Sequence, residues 1–342
     1  MTELLQNTDR GLYCPPGDFY IDPWQPVARA VITHAHSDHA RPDSQSYLTA
    51  APGGDVLRYR LGAEARIETL AYGESRDLNG VRISLHPAGH ILGSAQVRME
   101  HRGRIAVVTG DYKTDAADLT CPPFEPLRCH LLVSECTFGL PIYRWQPQAA
   151  ILAEIHDWWR ASQEQRRTCI LFAYSLGKAQ RILASLDATL GPILVHGAVH
   201  ALLPAYAAAR VRLPTVEHAG LVSAKATRGR ALVIAPPLAQ GSPWIKKFGP
   251  VSTAIASGWM QVRGRRRRKA VDRGFALSDH ADWFGLNSTI EASGAEEVWL
   301  THGSTGSMTR WLVERGVNAR PISTQFEGET DDPLAAAAEP EE

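Results

Sequence analysis

The stretch VITHAHSDHA, residues 31–40, sets His34, His36, Asp38 and His39 within six positions, directly after an apolar run. Neutral imidazole and carboxylate are ligands for zinc and for manganese-like ions. A loop leaving a strand can turn alternate side chains toward one point. Four such ligands are too many for one catalytic ion that must keep an open position. Split as His34 with His36, and Asp38 with His39, they suit two adjacent ions. The bland alternative is a polar surface loop with incidental histidines. Three more residues weigh against it: His90 in HPAGHILGS, Asp111 closing RIAVVTGD and His302 closing EEVWLTH. Alone, each would be an ordinary hydrogen-bonded residue. Together, His34, His36 and His90 make one set, Asp38, His39 and His302 the other, and Asp111 can bridge. Two ions roughly 3.5–4 Å apart lower the pKa of a shared water and clamp both oxygens of an in-line displacement.

Such ligands need strands to hold them. ARAVITH (28–34), VRISLHP (81–87), QVRME (96–100), RIAVVTGD (104–111) and CHLLVSE (129–135) are short β-branched runs, each ending near a polar residue. They read as strands with chemistry at their ends. PQAAILAEIHDWWRASQEQ (147–165) has helical spacing. Helical and strand patterns then alternate from TCILFAYS to RALVIAPP, the signature of βαβ units and a parallel sheet. EEVWLTHG (296–303) is one more strand, followed by the short helix GSMTRWLVERG. The layout is an α/β chain: a β-rich first part, an α/β middle and a short β/α return.

At 342 residues, 44% hydrophobic and 21% charged, the composition is that of a globular protein. No apolar run approaches the roughly 18 residues of a membrane span. The N-terminus lacks the basic-then-apolar layout of a signal peptide. Five cysteines without a C-x-x-C pair read as reduced thiols, and the expected location is cytoplasmic. The zero net charge hides an asymmetry. Residues 327–342 carry seven acids and no base, so the remainder holds 36 basic against 29 acidic residues. That tail has the composition of a disordered segment. The densest basic cluster is RGRRRRK, 263–269, which by itself reads equally well as a solvated face.

H-x-H-x-D-H, a distal histidine and then an aspartate resemble the motif series of the metallo-β-lactamase fold. Asp22 in FYIDPW looks like that fold's first aspartate, which braces the metal loop from behind. Glu135 in LLVSECTFG, His280 in ALSDHADW and His302 in WLTHG look like motifs A, B and C of the β-CASP nucleases. FAYSLGKAQRIL (172–183) resembles a β-CASP segment that usually reads aromatic, then Gly-Arg-Ala-Gln. The resemblance covers residues 10–326 and is nearest to the bacterial ligase-associated DNA exonucleases, relatives of Artemis and of RNA 3′-end processing endonucleases. It implies a metallo-β-lactamase αββα sandwich with an inserted α/β β-CASP domain. The expected boundaries are 1–145 for the first part of the metal domain, 146–262 for the insert, 263–326 for the return segment and 327–342 for the acidic tail.

The implied activity is two-metal phosphodiester cleavage of DNA in repair, with zinc or manganese, alongside a DNA ligase and a helicase and away from membranes. Asp38 would orient the attacking water. His280, held by Glu135, would contact a phosphate oxygen or protonate the leaving 3′-oxygen. Lys113 and Ser278 are candidates for flanking phosphates. Arg263, Arg265, Arg266, Arg267 and Arg268 are candidates for sequence-independent backbone contacts, with single-stranded DNA the expected ligand. Trp158, Trp159 and Trp259 are candidates for base stacking, although the first two lie on a helix that must also pack. His302 is in tension with DNA: RNA-cleaving members carry histidine at motif C, where Artemis-like members tend to carry valine. An RNA nuclease is therefore the alternative. A thioesterase-type hydrolase has no use for motifs A to C, and a dead scaffold would have lost ligands.

Overall fold

Apolar side chains at every second position make the strands of this chain. In Val81–Pro87, Val81, Ile83 and Leu85 are fully buried while Arg82 is exposed, the period of two that a pleated strand imposes. The computed structural model describes residues 3–262, 264 and 270–325. These form two compact units, one running up to Arg144 and resuming at His280, the other spanning Trp145–Asp279.

The first unit carries two sheets. One is six-stranded, from Gln6–Thr8 to Ile67–Leu70 in sequence order. The other is seven-stranded, in the order Ala319–Pro321, Glu297–Thr301, Leu131–Glu135, Arg104–Val108, Ala95–His101, Val81–Pro87, Ser75–Leu78. One core lies between the sheets, with Phe19, Ile21 and Leu48 against Val97, Val133 and Trp299. Neighbouring residues on the same strands, Val107, Leu132 and Val298, face the other way. There they meet Leu286 and Ile290 of the helix Trp283–Ser293, and Met308 and Leu312 of the helix Thr305–Glu314. The fold is therefore mixed α/β, with two facing sheets and helices on the outer face of the larger one.

Three neighbouring strands of that sheet, Arg104–Val108, Leu131–Glu135 and Glu297–Thr301, run parallel. Glu135 is paired with Thr301 in register. Asp111, Glu135 and His302 therefore leave the same edge of the sheet. The run expected as a strand over 28–34 keeps ladder geometry only at Ala30–Val31. Beyond it the Asp22 side chain, not a neighbouring strand, accepts the Thr33 N–H at 2.8 Å.

The second unit is an all-parallel six-stranded sheet in the order Glu217–His218, Ile193–Val195, Leu232–Ala235, Thr168–Phe172, Val251–Ala256, Arg273–Phe275. Its central strands are buried on both faces, which is why TCILF and LVIA read as unbroken apolar runs. The helix Gln148–Glu164 lays Ile151, Ile155 and Trp159 on one face of this sheet, a spacing of about four set by the helical period. It ends where Arg166 turns left-handed, at φ 55°. The boundary expected at 262/263 moves, because Arg273–Phe275 pairs with Val251–Ala256 and so belongs to this sheet. No helix among the described residues is long and apolar enough to cross a membrane.

Candidate metal centre

The loop after Ala30–Val31 is organised by one carboxylate. Asp22 sits in left-handed backbone, φ 44°. Its Oδ1 accepts the Thr33 N–H, while Oδ2 accepts from Thr33 Oγ1 at 2.6 Å and from His39 Nδ1 at 2.7 Å. The latter bond puts the His39 proton on Nδ1 and leaves a lone pair on Nε2. The Thr33 hydroxyl has a single proton, which Asp22 takes. It must therefore accept from His34 Nδ1, 3.1 Å away. The His34 lone pair is then also on Nε2. Thr33, which the sequence reading passed over, thus relays Asp22 to a second histidine. A threonine between the apolar run and the first histidine was the available signal.

The lone pairs so prepared converge. His34 Nε2 lies 3.1 Å from His36 Nδ1, which lies 3.1 Å from His90 Nε2. Burial, reinforced by His39 and His36, holds the His34 pKa well below the usual imidazole range, so this ring is neutral. Three ring nitrogens facing one another in this way suit a shared cation. The 3.1 Å spacing is close to the roughly 3.3 Å between two nitrogens on one tetrahedral zinc with bonds of about 2.0–2.1 Å. His34, His36, His90 and Asp111 bring one donor atom each within 4.8 Å of one another, as do His39, Asp111 and His302. In the second group His39 Nε2 and His302 Nδ1 are buried and make no hydrogen bond. Buried polar atoms are nearly always satisfied in folded proteins, so both donor sets fit a cation.

Asp111 is common to both groups. Its Oδ2 lies 3.6 Å from His34 Nε2, 3.4 Å from His39 Nε2 and 3.9 Å from His90 Nε2. Burial alone would raise its pKa, but His39 and His280 outweigh that and hold it well below the usual carboxylate range. Burial likewise opposes charge on His39, yet with no cation beside it Asp111, Asp38 and Asp22 pull its pKa well above the usual value, so Nε2 holds a second proton that a cation would displace to reach the lone pair. Gly110 lets Asp111 come this close, since a Cβ there would stand 2.6 Å from Thr33 Cβ. The expected second set is Asp38, His39 and His302 with Asp111 as the bridge. Asp111 completes the group within 4.8 Å, and Asp38 stands beside it with Oδ2 3.7 Å from His39 Nε2.

Glu135 and His280 meet as a buried pair. His280 Nδ1 is 3.0 Å from both carboxylate oxygens, and Oε1 also accepts the Tyr112 N–H at 2.9 Å. The carboxylate fixes the His280 proton on Nδ1 and leaves Nε2 as the working atom. His302 is left-handed, φ 59°, and is followed by left-handed Gly303, where a Cβ would come 2.4 Å from Thr137 Cα. Cys136 Sγ donates to the His302 carbonyl at 3.0 Å and so laces the end of one strand to the next. Its neighbourhood to Glu135 in SECTFG was the signal for this role.

The other expected contacts divide. Lys113 is 4% exposed, so it is not a solvated lysine. Ser278, also buried, lies in the second unit. Arg263, Arg265, Arg266, Arg267 and Arg268 fall outside the described residues. Trp158 and Trp159 are core side chains, their indole N–H groups donating to Ser252 Oγ and the Arg230 carbonyl, which removes both from base stacking. Trp259 is partly buried against the core. Within the second unit, Lys178 and Asp279 form a 3.1 Å ion pair with side chains only 1% and 0% exposed. A pair so buried needs both members. Lys178 stands where the β-CASP segment usually has arginine. All five cysteines are free thiols, as their spacing implies. Burial raises Cys14 and Cys129 to about 11.

Comparison with known proteins places the chain. No protein-family model matches it. Over 314 residues, 91% of its length, it is 33% identical to a probable DNA ligase from Opitutus terrae, of which it spans 30%. It is 30% identical over 192 residues to the endoribonuclease YSH1 of Yarrowia lipolytica, covering 46% of this chain and 23% of that protein. It is 29% identical over 128 residues to cleavage and polyadenylation specificity factor 73 of Drosophila melanogaster, covering 36% of this chain and 18% of that protein. The chain thus spans less than a third of these relatives. A crystal structure of a protein of unknown function from Enterococcus faecalis shares the fold, with TM-score 0.59 and 13% identity over 88% of this chain and 80% of that one. The chain is a relative of the β-CASP nucleases.

Proposed function

We propose that this protein is a two-metal-dependent DNA exonuclease that hydrolyses phosphodiester bonds in repair, leaving a 5′-phosphate and a 3′-hydroxyl. The observation that carries the reading is Asp111 Oδ2, one oxygen facing His34, His90 and His39 from both donor sets. Two divalent ions held by these residues, zinc or manganese, would supply Lewis acidity and an acidified water. The ligand types suit either metal.

The residues of the chain do the rest. Asp38 accepts a hydrogen bond from the attacking water and aims its lone pair at phosphorus. His280, oriented through Nδ1 by Glu135, presents Nε2 to the departing 3′-oxygen; as the imidazolium it carries a second proton on Nε2, delivers that proton to the oxygen and returns to the neutral Nδ1–H form. Tyr112 N–H holds the carboxylate that holds the histidine, so the donor is rigid before substrate arrives. Lys113 and Ser278 would meet flanking phosphates.

The substrate assignment rests on two further observations. Residues 145–279 carry 19 Lys and Arg against 7 Asp and Glu, a surplus of twelve that suits a polyanion. The match over 91% of this chain is to part of a probable DNA ligase, which favours DNA and action beside a ligase, with a helicase as a further partner. RNA is the second reading, favoured by His302 at motif C and by the similarity to endoribonucleases. Parallel digestion of end-labelled DNA and RNA strands with manganese or zinc tests both. DNA degraded from one end is the expected result. Cleavage of RNA alone would replace the first reading with the second, and cleavage of neither would remove both.

A further inference from the structure

Buried aromatic side chains pack outward from His280 to a surface patch of aromatic and arginine side chains within the metal-bearing unit. The Phe138 ring is 5.8 Å from His280 and 4.8 Å from Tyr143. The Tyr143 carbonyl accepts the Trp283 N–H at 3.1 Å. Trp283 packs edge-on against Trp311 at 5.1 Å. Beside Trp283, Phe284 is 57% exposed, with the Arg144 guanidinium 5.0 Å from its ring. Arg315 lies 4.6 Å from the Trp311 ring, which Asn287 holds through the indole N–H at 2.8 Å. A groove of about 190 Å³ runs between residues 139–141 and the helix Thr305–Glu314, lined also by Trp283 and Trp311.

The charge pattern selects an occupant. Arg310 is neutralised by Glu314 at 2.9 Å. Among the described residues, neither Arg144 nor Arg315 has an acidic partner within ion-pair distance; each lies over an aromatic ring instead. One exposed phenyl ring and one half-buried indole, each with an arginine beside it, suit a ligand made of flat bases and phosphates. A purely apolar peptide would leave those cations uncompensated. Phe138, Tyr143 and Trp283 are buried, so the surface open to a ligand begins at Phe284, four residues after His280 in the same unit.

We infer that this patch binds the single-stranded part of the polynucleotide substrate, with one base stacked on Phe284 and the backbone alongside Arg144 and Arg315. The inference rests on the nuclease reading and adds a contact for the strand on the metal-bearing unit. It assigns Phe284, four residues after His280, a role in binding rather than in the core.

The test is binding of a fluorescein-labelled oligothymidylate and its abasic counterpart to the full chain, with calcium in place of the active metal. Phe284→Ala should weaken binding of the thymidylate strand about 5- to 150-fold, the usual range for losing one base–aromatic stack. It should leave the abasic strand unchanged, because no base remains to be stacked. Phe284→Tyr should restore the thymidylate affinity. Replacing Arg144 and Arg315 by Gln should weaken both strands and reduce the slope of log affinity against log salt by up to about 1.4. Wild-type affinity in Phe284→Ala, or an equal loss on both strands, overturns the inference and leaves the groove to a protein segment. If the unmutated chain neither binds nor cleaves any strand, the nuclease reading itself fails.

Discussion

Replacing Asp22 by Asn reverses the protons on which the metal centre depends while keeping side-chain shape. Asn tolerates the left-handed backbone at φ 44°, and its amide oxygen can still accept the Thr33 N–H. What changes is Oδ2, which now accepts from both Thr33 Oγ1 and His39 Nδ1. An NH₂ in that place donates and cannot accept. His39 must then carry its proton on Nε2, facing Asp111. The Thr33 hydroxyl, no longer donating to residue 22, turns toward His34 Nδ1, and the His34 proton moves to Nε2 as well. One lone pair is lost from each donor set. Removing such a supporting partner costs about 10- to 100-fold in metal affinity, or about 1.4–2.7 kcal/mol for each ion. Competition against a chromophoric chelator, with metal counted per chain by mass spectrometry, should show both equivalents weakened. The metal-free melting temperature should change little. Two equivalents retained at unaltered affinity would refute the proton relay from Asp22 through Thr33.

Asp111→Ala removes the oxygen shared by the two sets, so cleavage should be abolished and both ions weakened; near-normal nuclease activity in that protein would sink the two-metal reading. His280→Ala should lower the rate by roughly 10²- to 10⁴-fold with metal content unchanged, and loss of one bound equivalent would instead make His280 a ligand. Replacing Arg265, Arg266, Arg267 and Arg268 by Ala should flatten the salt dependence of single-strand binding by up to about 3 in log–log slope, similarly for different sequences. Parallel lines for wild type and variant would leave RGRRRRK a solvated surface.

Much of the centre is legible in the order of residues. HAHSDH shows its candidate ligands because a loop after a strand keeps neighbours in sequence near in space. The strands ending at Asp111, Glu135 and His302 are visible because apolar alternation is a local signal. The acid–histidine pairing of Glu135 with His280 came from motif resemblance, since 145 residues separate them. Other features were settled by tertiary packing. Asp111 lies within reach of both groups because Arg104–Val108, Leu131–Glu135 and Glu297–Thr301 lie side by side and parallel, a neighbourhood that no local pattern encodes. Trp158 and Trp159 are core residues because their helix packs flat on the second sheet, whereas Phe284, one position after buried Trp283, faces outward. Nothing in the residue types distinguishes these tryptophans and this phenylalanine. Which aromatic is core and which is surface depends on the direction each side chain takes from its helix, and that direction exists only once the helix has been packed. The protons on His34 and His39 follow the same logic, placed by Asp22 and Thr33 through bonds of 2.6–3.1 Å that form only when the folded chain brings those atoms together.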